Sequence, residues 1–217
     1  LDSWLSEADL LIHAAWYAKP GKYLTSPINL HCLEGTLRLV KAFCRLGGKR
    51  IVGLGTCAEY DMEKALLTVE TPLKPSTLYA ACKTSMFQIL SHFLIGATVE
   101  FAWCRLFYLY GEGEDERRLA PYIRKHLQAG QPALLTSGNQ VRDFIDVREA
   151  ARLIVDVALG KVQGAANICT GVPMTVRELA ERIADEYGRR DLLHFGSRPD
   201  NLFDPPRVVG VPGPFHA

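Results

Sequence analysis

The sequence predicts an α/β fold, a parallel sheet with helices on both faces followed by a smaller lobe toward the carboxyl end. Three observations predict it. Continuous apolar runs at residues 8–15, 51–55 and 99–106 have the make-up of strands buried on both sides. The stretches between those runs carry apolar residues at helical spacing, so strand and helix alternate as right-handed crossovers require. After Tyr110 and Gly111 the elements become shorter and less apolar, which marks the second lobe.

The first strand reads Ala-Asp-Leu-Leu-Ile-His-Ala-Ala, with small residues at its end that let backbone approach a ligand closely. His13 inside it is expected to be a hydrogen-bonded core residue and not a base. Trp16, Tyr17, Lys19, Pro20 and Gly21 form a loop that could wall a cleft. From Pro27, Leu30, Leu33, Leu37, Val40 and Phe43 set out a helix that Gly47 and Gly48 end. The strand 51–55 then stops at Thr56. Pro72 and Pro75 precede Ser76, the expected cap of the next helix, which would place Tyr79 at its third position. Met86, Phe87, Leu90, Phe93 and Leu94 form the stripe that presses this helix on the sheet.

Thr56, Tyr79 and Lys83 form a proton-transfer set. Four residues apart on a helix, Tyr79 and Lys83 share one face. With a pKa near ~10, about one free phenol in a thousand is ionised at neutral pH, and an adjacent ammonium favours the phenolate. A strand-end hydroxyl can donate to a carbonyl or alkoxide oxygen placed between it and the phenol. The spacing also occurs at Tyr60 and Lys64, where an acidic, turn-like run and no preceding strand-end hydroxyl read as a loop.

Farther on, residues 111–118 are turn-like, 119–128 a helix, 133–135 a strand and 147–159 a helix returning to the main sheet. Residues 167–169 are a strand, Thr175 caps a helix over 176–187, and 192–195 is the last strand. The expected domains are therefore 1–111 and 112–217.

The 217 residues suffice for one sizeable core with an appendage, and a formal net charge of +1 gives no electrostatic case for nucleic acid. Six cysteines without a C-x-x-C pair read as reduced thiols of a cytoplasmic protein, with no metal site. No run approaches the ~18 apolar residues of a membrane span. The chain begins at Leu1, without a methionine and close to a strand, as a truncated chain would; its tail from Gly210 also departs from the pattern.

These residues resemble the extended short-chain dehydrogenase/reductase superfamily, in particular its NAD-dependent epimerase/dehydratase branch. The motifs carrying the resemblance run in order: His13-Ala14-Ala15; Gly35-Thr36; Thr56 with Tyr60; Tyr79 with Lys83; Arg105-Leu106-Phe107 with Tyr110-Gly111; Gly138, Gln140, Arg142, Asp143 and Phe144; Asn167 with Gly171. The resemblance implies a Rossmann-type parallel sheet, its first strands and glycine loop missing, with a small carboxyl-terminal substrate lobe. By it, Ala14, Ala15, Tyr79, Lys83 and Phe107 would meet NAD or NADP. Thr56, Cys57, Tyr108, Arg142 and Arg198 would meet a nucleotide-diphosphate sugar, and the protein would be a homodimer through the helices at 27–46 and around Tyr79. Arg142 has an independent reason, since a guanidinium fork matches phosphate oxygens. An ion pair with Asp143 or Asp146 is its equally weighted alternative.

Without the glycine loop, poor cofactor binding by this chain alone is expected. Cys57 and Ala58 stand where the family's dehydratases carry Asp-Glu, which argues against water elimination. Cys32 replaces a common asparagine, and Tyr108 another. Keto-sugar reduction with Tyr79 as proton donor is the expected activity; 4-epimerisation through a transient keto intermediate is the alternative, and a non-catalytic cofactor-binding protein the second.

Overall fold

The computed structural model describes residues 7–201 and 204–215. The expected domain limits at Leu1 and Ala217 lie outside the described residues. Strand β1 (Leu10–His13) leads to helix α1 (Ile28–Arg45), and β2 (Arg50–Thr56) to α2 (Leu78–Ala97) and β3 (Glu100–Leu106). These strands, with β7 (Gly164–Ile168) farther along the chain, make one sheet in the order β1-β2-β3-β7, parallel throughout. Helix α4 (Val147–Leu159) covers one face through Leu153 and Val157 packed with Val52, Cys104 and Ile168. The other face carries α1 and α2, whose Val40, Phe43, Met86, Leu90 and Leu94 close over Ile51 and Trp103.

Gly47, at φ +89°, ends α1 in the left-handed region that glycine enters without a Cβ penalty. The cap of α2 is Thr77 and not Ser76: its side chain accepts from the Ala80 amide at 3.1 Å, so Tyr79 is the second helical residue. One residue of shift leaves Tyr79 and Lys83 on the same face. Asp146 caps α4, accepting from the Arg148 amide at 2.8 Å, and Thr175 caps the helix after it in a reciprocal box with Glu178.

Between and after these elements lie β4 (Tyr108–Tyr110), α3 (Leu119–Gln128), β5 (Ala133–Leu134), β6 (Val141–Asp146), β8 (Pro173–Thr175), α5 (Val176–Asp185), β9 (Leu193–His194) and β10 (Arg207–Val208). A second sheet in the order β10-β6-β4, with β8 antiparallel to β6, adjoins a separate apolar cluster of α3 and α5. The sequence reading gave no strand over β6 or β4, and set the end of α5 two residues late. All six cysteines are free; Cys32 and Cys44 are half-buried and the other four buried. No helix among the described residues is long and apolar enough to cross a membrane.

Candidate active site

β2 ends at Thr56, and the chain turns at once into a single 3₁₀ turn, Cys57–Glu59. The turn is locked at both ends. Thr56 Oγ1 accepts from the Ala58 amide at 3.3 Å, while the Glu59 carboxylate accepts the Thr56 amide at 2.8 Å. Thr56 and the Tyr79 phenol line the same cleft, and Thr56 draws the phenol's pKa down. The Tyr79 amide donates to the Leu24 carbonyl at 3.0 Å, which ties the start of α2 to the loop after β1. From that loop the Tyr23 ring meets Tyr79 edge to face, centroids 4.9 Å apart.

Lys83 lies one turn along α2 and is buried. Its Nζ donates to the Leu54 carbonyl at 2.7 Å and stands 3.9 Å over the Trp16 ring. Burial lowers the Lys83 pKa to about 8, against the favourable charge of Glu59. Burial also raises the Tyr79 phenol well above its ordinary value, with neighbouring Tyr23 adding to the rise and the Thr56 hydrogen bond opposing it. The neutral phenol is therefore the resting form. Desolvation outweighs the help of nearby donors, and the proton stays on Tyr79.

A cleft of about 680 Å³ opens over these groups, lined by Tyr23, Thr56, Cys57, Tyr79, Phe107 and Tyr108 among others. Of the loop expected to wall it, Lys19 and Pro20 line the cleft while Trp16, Tyr17 and Gly21 do not, and Arg118 stands at the start of α3. Burial pushes the Cys57 thiol up to about 12, so it holds its proton at neutral pH. The Tyr108 phenol is raised too, chiefly by burial.

The other sequence candidates lie elsewhere. Ala14 and Ala15 are exposed just past the end of β1 and do not line the cleft. Arg142 is buried behind Tyr108, its guanidinium 5.1 Å from that ring. Its partner is neither Asp143 nor Asp146 but Asp204, at 2.6 Å. Asp143 instead accepts from the Thr170 and Gly171 amides. Arg198 stacks 4.8 Å from the Tyr122 ring and donates to its hydroxyl at 3.0 Å, away from the cleft. His13 is hydrogen-bonded as expected, 3.2 Å from Thr36 Oγ1 and with its pKa lowered by burial, but it is half-buried and not a core residue.

Tyr23 and Glu59 were not singled out from the sequence. Glu59, fully buried, accepts from the Trp103 indole N–H at 3.0 Å and from Arg105 Nε at 2.9 Å besides the Thr56 amide. Thr56 followed three residues later by Glu is the capping-box pattern, and that signal was there to read.

The model of the NAD dependent epimerase/dehydratase family matches residues 1–169. The chain belongs to that family. Its members are NAD-dependent enzymes, and the family model spans both Thr56 and the Tyr79–Lys83 pair. Among characterised relatives, the dTDP-6-deoxy-L-talose 4-dehydrogenase (NAD(+)) of Aggregatibacter actinomycetemcomitans is 24% identical over 209 residues, covering 95% of this chain and 77% of the relative. Of solved structures, the UDP-N-acetylglucosamine 4-epimerase of Methanobrevibacter ruminantium superposes with a TM-score of 0.88 at 24% identity, over 97% of this chain and 70% of that one. The Thermus thermophilus UDP-glucose 4-epimerase in complex with NAD gives a TM-score of 0.82 at 20% identity, over 98% and 74%. These likenesses establish the Rossmann-type fold of the family.

Of the candidate cofactor residues, Tyr79 and Phe107 line the cleft that NAD would enter, and Lys83 is buried behind it. A lysine ammonium has three N–H donors, of which Lys83 directs one to Leu54. Exposed alanines past β1 leave the backbone there open to close approach.

Proposed function

We propose that the intact protein is an NAD(P)-dependent oxidoreductase that reduces a keto group on a nucleotide-linked sugar, with Tyr79 as the proton donor. The observation that carries this reading is that Thr56 and Tyr79 line one cleft, with burial keeping the proton on the phenol. The reduced form of NAD or NADP, when bound, would supply the hydride. Thr56 orients the carbonyl oxygen and donates to it as negative charge develops. Tyr79 passes its proton to that oxygen, and the Lys83 ammonium, behind it, stabilises the phenolate left behind. The Cys57 thiol, pushed up to about 12, is a poor acid or base for water elimination, which supports a redox outcome over dehydration.

The nucleotide-linked sugar as substrate class draws on family membership and on the relatives named above. A second reading, 4-epimerisation, is favoured by the cleft's volume of about 680 Å³, at which a transient keto sugar has room to turn before being reduced again. Homodimerisation belongs to the same proposal: α1 and α2 expose Ile28, Leu30, Ile89, Phe93 and Ile95. Following reduced-cofactor oxidation by the intact protein across a panel of nucleotide-linked 4-keto sugars tests the reductase. Stoichiometric loss of reduced cofactor supports it, and interconversion of a UDP-hexose without net cofactor turnover replaces it with the epimerase.

A further inference from the structure

A fully buried carboxylate is costly unless its neighbours satisfy it, and one is bonded to the backbone of Thr56. Glu59 has no exposed surface. Every partner it has is a donor: the Thr56 amide at 2.8 Å, the Trp103 indole at 3.0 and 3.1 Å to its two oxygens, and Arg105 Nε at 2.9 Å. Burial pushes its pKa up and these partners pull it back; a set made only of donors is satisfied by the ionised form. The site is also shaped for it. Gly55, one residue before Thr56, has no side chain because a Cβ there would collide with the Trp103 indole nitrogen and the Glu59 carboxylate.

The network is held from both sides. The Arg105 guanidinium lies 4.6 Å from the Tyr60 ring and 4.7 Å from that of Phe87, and Nη1 donates to the Tyr60 hydroxyl at 3.0 Å. Tyr60 in turn donates to Asn167 Oδ1 at 2.7 Å. Toward the cleft, the indole that donates to Glu59 presents its ring 5.9 Å from Lys83 Nζ. A carboxylate fixed in this way holds the Thr56 amide directly and reaches Lys83 through the shared Trp103 indole. An apolar residue could fill the space, but it could not anchor the Thr56 amide or set a negative charge there.

We propose that Glu59 is a positioning residue for the reaction, fixing Thr56 through its backbone amide and supplying the negative charge that keeps Lys83 an ammonium beside Tyr79. The proposal rests on the proton-transfer reading given above. The titratable groups that act on Lys83 are His13 from β1, Cys32 from α1 and Glu59 from the turn after β2, with Arg105 of β3 bound to Glu59 and Tyr79 one turn back on the same face of α2. Of these, Glu59 is the carboxylate.

The test compares Glu59→Gln with Glu59→Asp in the intact protein. The Lys83 titration is followed by NMR of its labelled side-chain carbon, which needs no substrate, and a melting curve confirms that each variant is folded. Glu59→Gln removes the charge, so the Lys83 midpoint moves to lower pH. Glu59→Asp keeps the charge, so the midpoint stays near that of the wild type while the Thr56 anchor loosens. An unchanged midpoint in Glu59→Gln, or an equal shift in both variants, overturns the proposal whatever the protein's substrate proves to be. With a reducible substrate in hand, Glu59→Gln is expected to lower kcat about tenfold with KM changed less than about twofold, and to bring the alkaline fall in kcat to lower pH. Tyr79→Phe run alongside reads the underlying reaction separately. A fully active Tyr79→Phe removes the proton-transfer reading, whereas an inactive one beside an unaltered Glu59→Gln profile removes the role of Glu59.

Discussion

Tyr60 and Tyr79 stand in the same local pattern, each four residues before a lysine, and the fold uses them in opposite ways. Tyr60 has no exposed surface; its hydroxyl accepts from Arg105 and donates to Asn167, so every strong partner it can have is internal. Its lysine, Lys64, is exposed in a loop. Tyr79 is half-buried and lines the cleft together with Thr56, and its lysine is the buried one. Spacing therefore supplies two phenols, and the capped helix at Thr77 decides which one faces open volume beside a strand-end hydroxyl.

The sharpest way to break this contrast is to remove each hydroxyl. Tyr79→Phe takes away the proton donor while leaving the ring against Tyr23, and kcat is expected to fall about 10²–10⁴-fold in the cofactor-oxidation assay with little change in melting temperature. Tyr60→Phe should do the reverse. It leaves Asn167 Oδ1 and Arg105 Nη1 without this partner in a buried setting, at a cost of about 1–3 kcal/mol measurable by denaturant unfolding. A Tyr60→Phe variant as inactive as Tyr79→Phe would show that the two phenols are not divided in this way.

How much of this division could be read in the sequence is itself uneven. Thr56 at its strand end, and Tyr79 with the helix carrying it, were legible because local signals agree: an apolar strand, a stop, prolines, a cap and a stripe at helical spacing. The structure moves the cap by one residue and nothing else in the pair. The network under Thr56 was only half legible. The capping-box spacing marks Glu59, but its burial depends on Trp103 and Arg105, which β3 brings alongside from more than 40 residues away. Arg142 shows the opposite failure. A guanidinium beside two aspartates invites a local ion pair or a phosphate, yet its partner is Asp204, 62 residues on. Strand β6 was missed for the same reason: Arg142 and Asp143 are both buried there, so charges occupy positions that an alternation rule assigns to apolar side chains.

The lysines sharpen the comparison next. Lys83 has its pKa lowered to about 8 by burial, so it is an ammonium below that pH and loses its proton as the pH rises through it. If the charge supports the phenolate formed on Tyr79, kcat falls above about pH 8, and Lys83→Met removes that limb while lowering kcat at neutral pH. Stability moves the other way. From about pH 8 up to the ordinary lysine value of 10.5 the unfolded chain binds more protons than the folded one, so this residue's contribution to stability rises with pH over that window. A rate that stays flat from pH 7 to 10 would mean that the charge on Lys83 does not enter the rate-limiting step.

The smallest expected effect belongs to Lys64. Its side chain is exposed, and it follows a tyrosine whose hydroxyl is already held by Arg105 and Asn167, so there is no proton for it to assist. An exposed lysine far from caps and buried partners contributes within about 0.5 kcal/mol, and Lys64→Met is expected to leave melting temperature, kcat and the alkaline limb of the rate profile where they were. The same substitution at Lys83 leaves an apolar chain against the Trp16 ring and a Leu54 carbonyl without its donor. Because the two changes are chemically identical, any difference between them measures the setting of the lysine and not its spacing from a tyrosine. A loss of activity in Lys64→Met comparable to that in Lys83→Met would return the second copy of the pattern to the list of candidates.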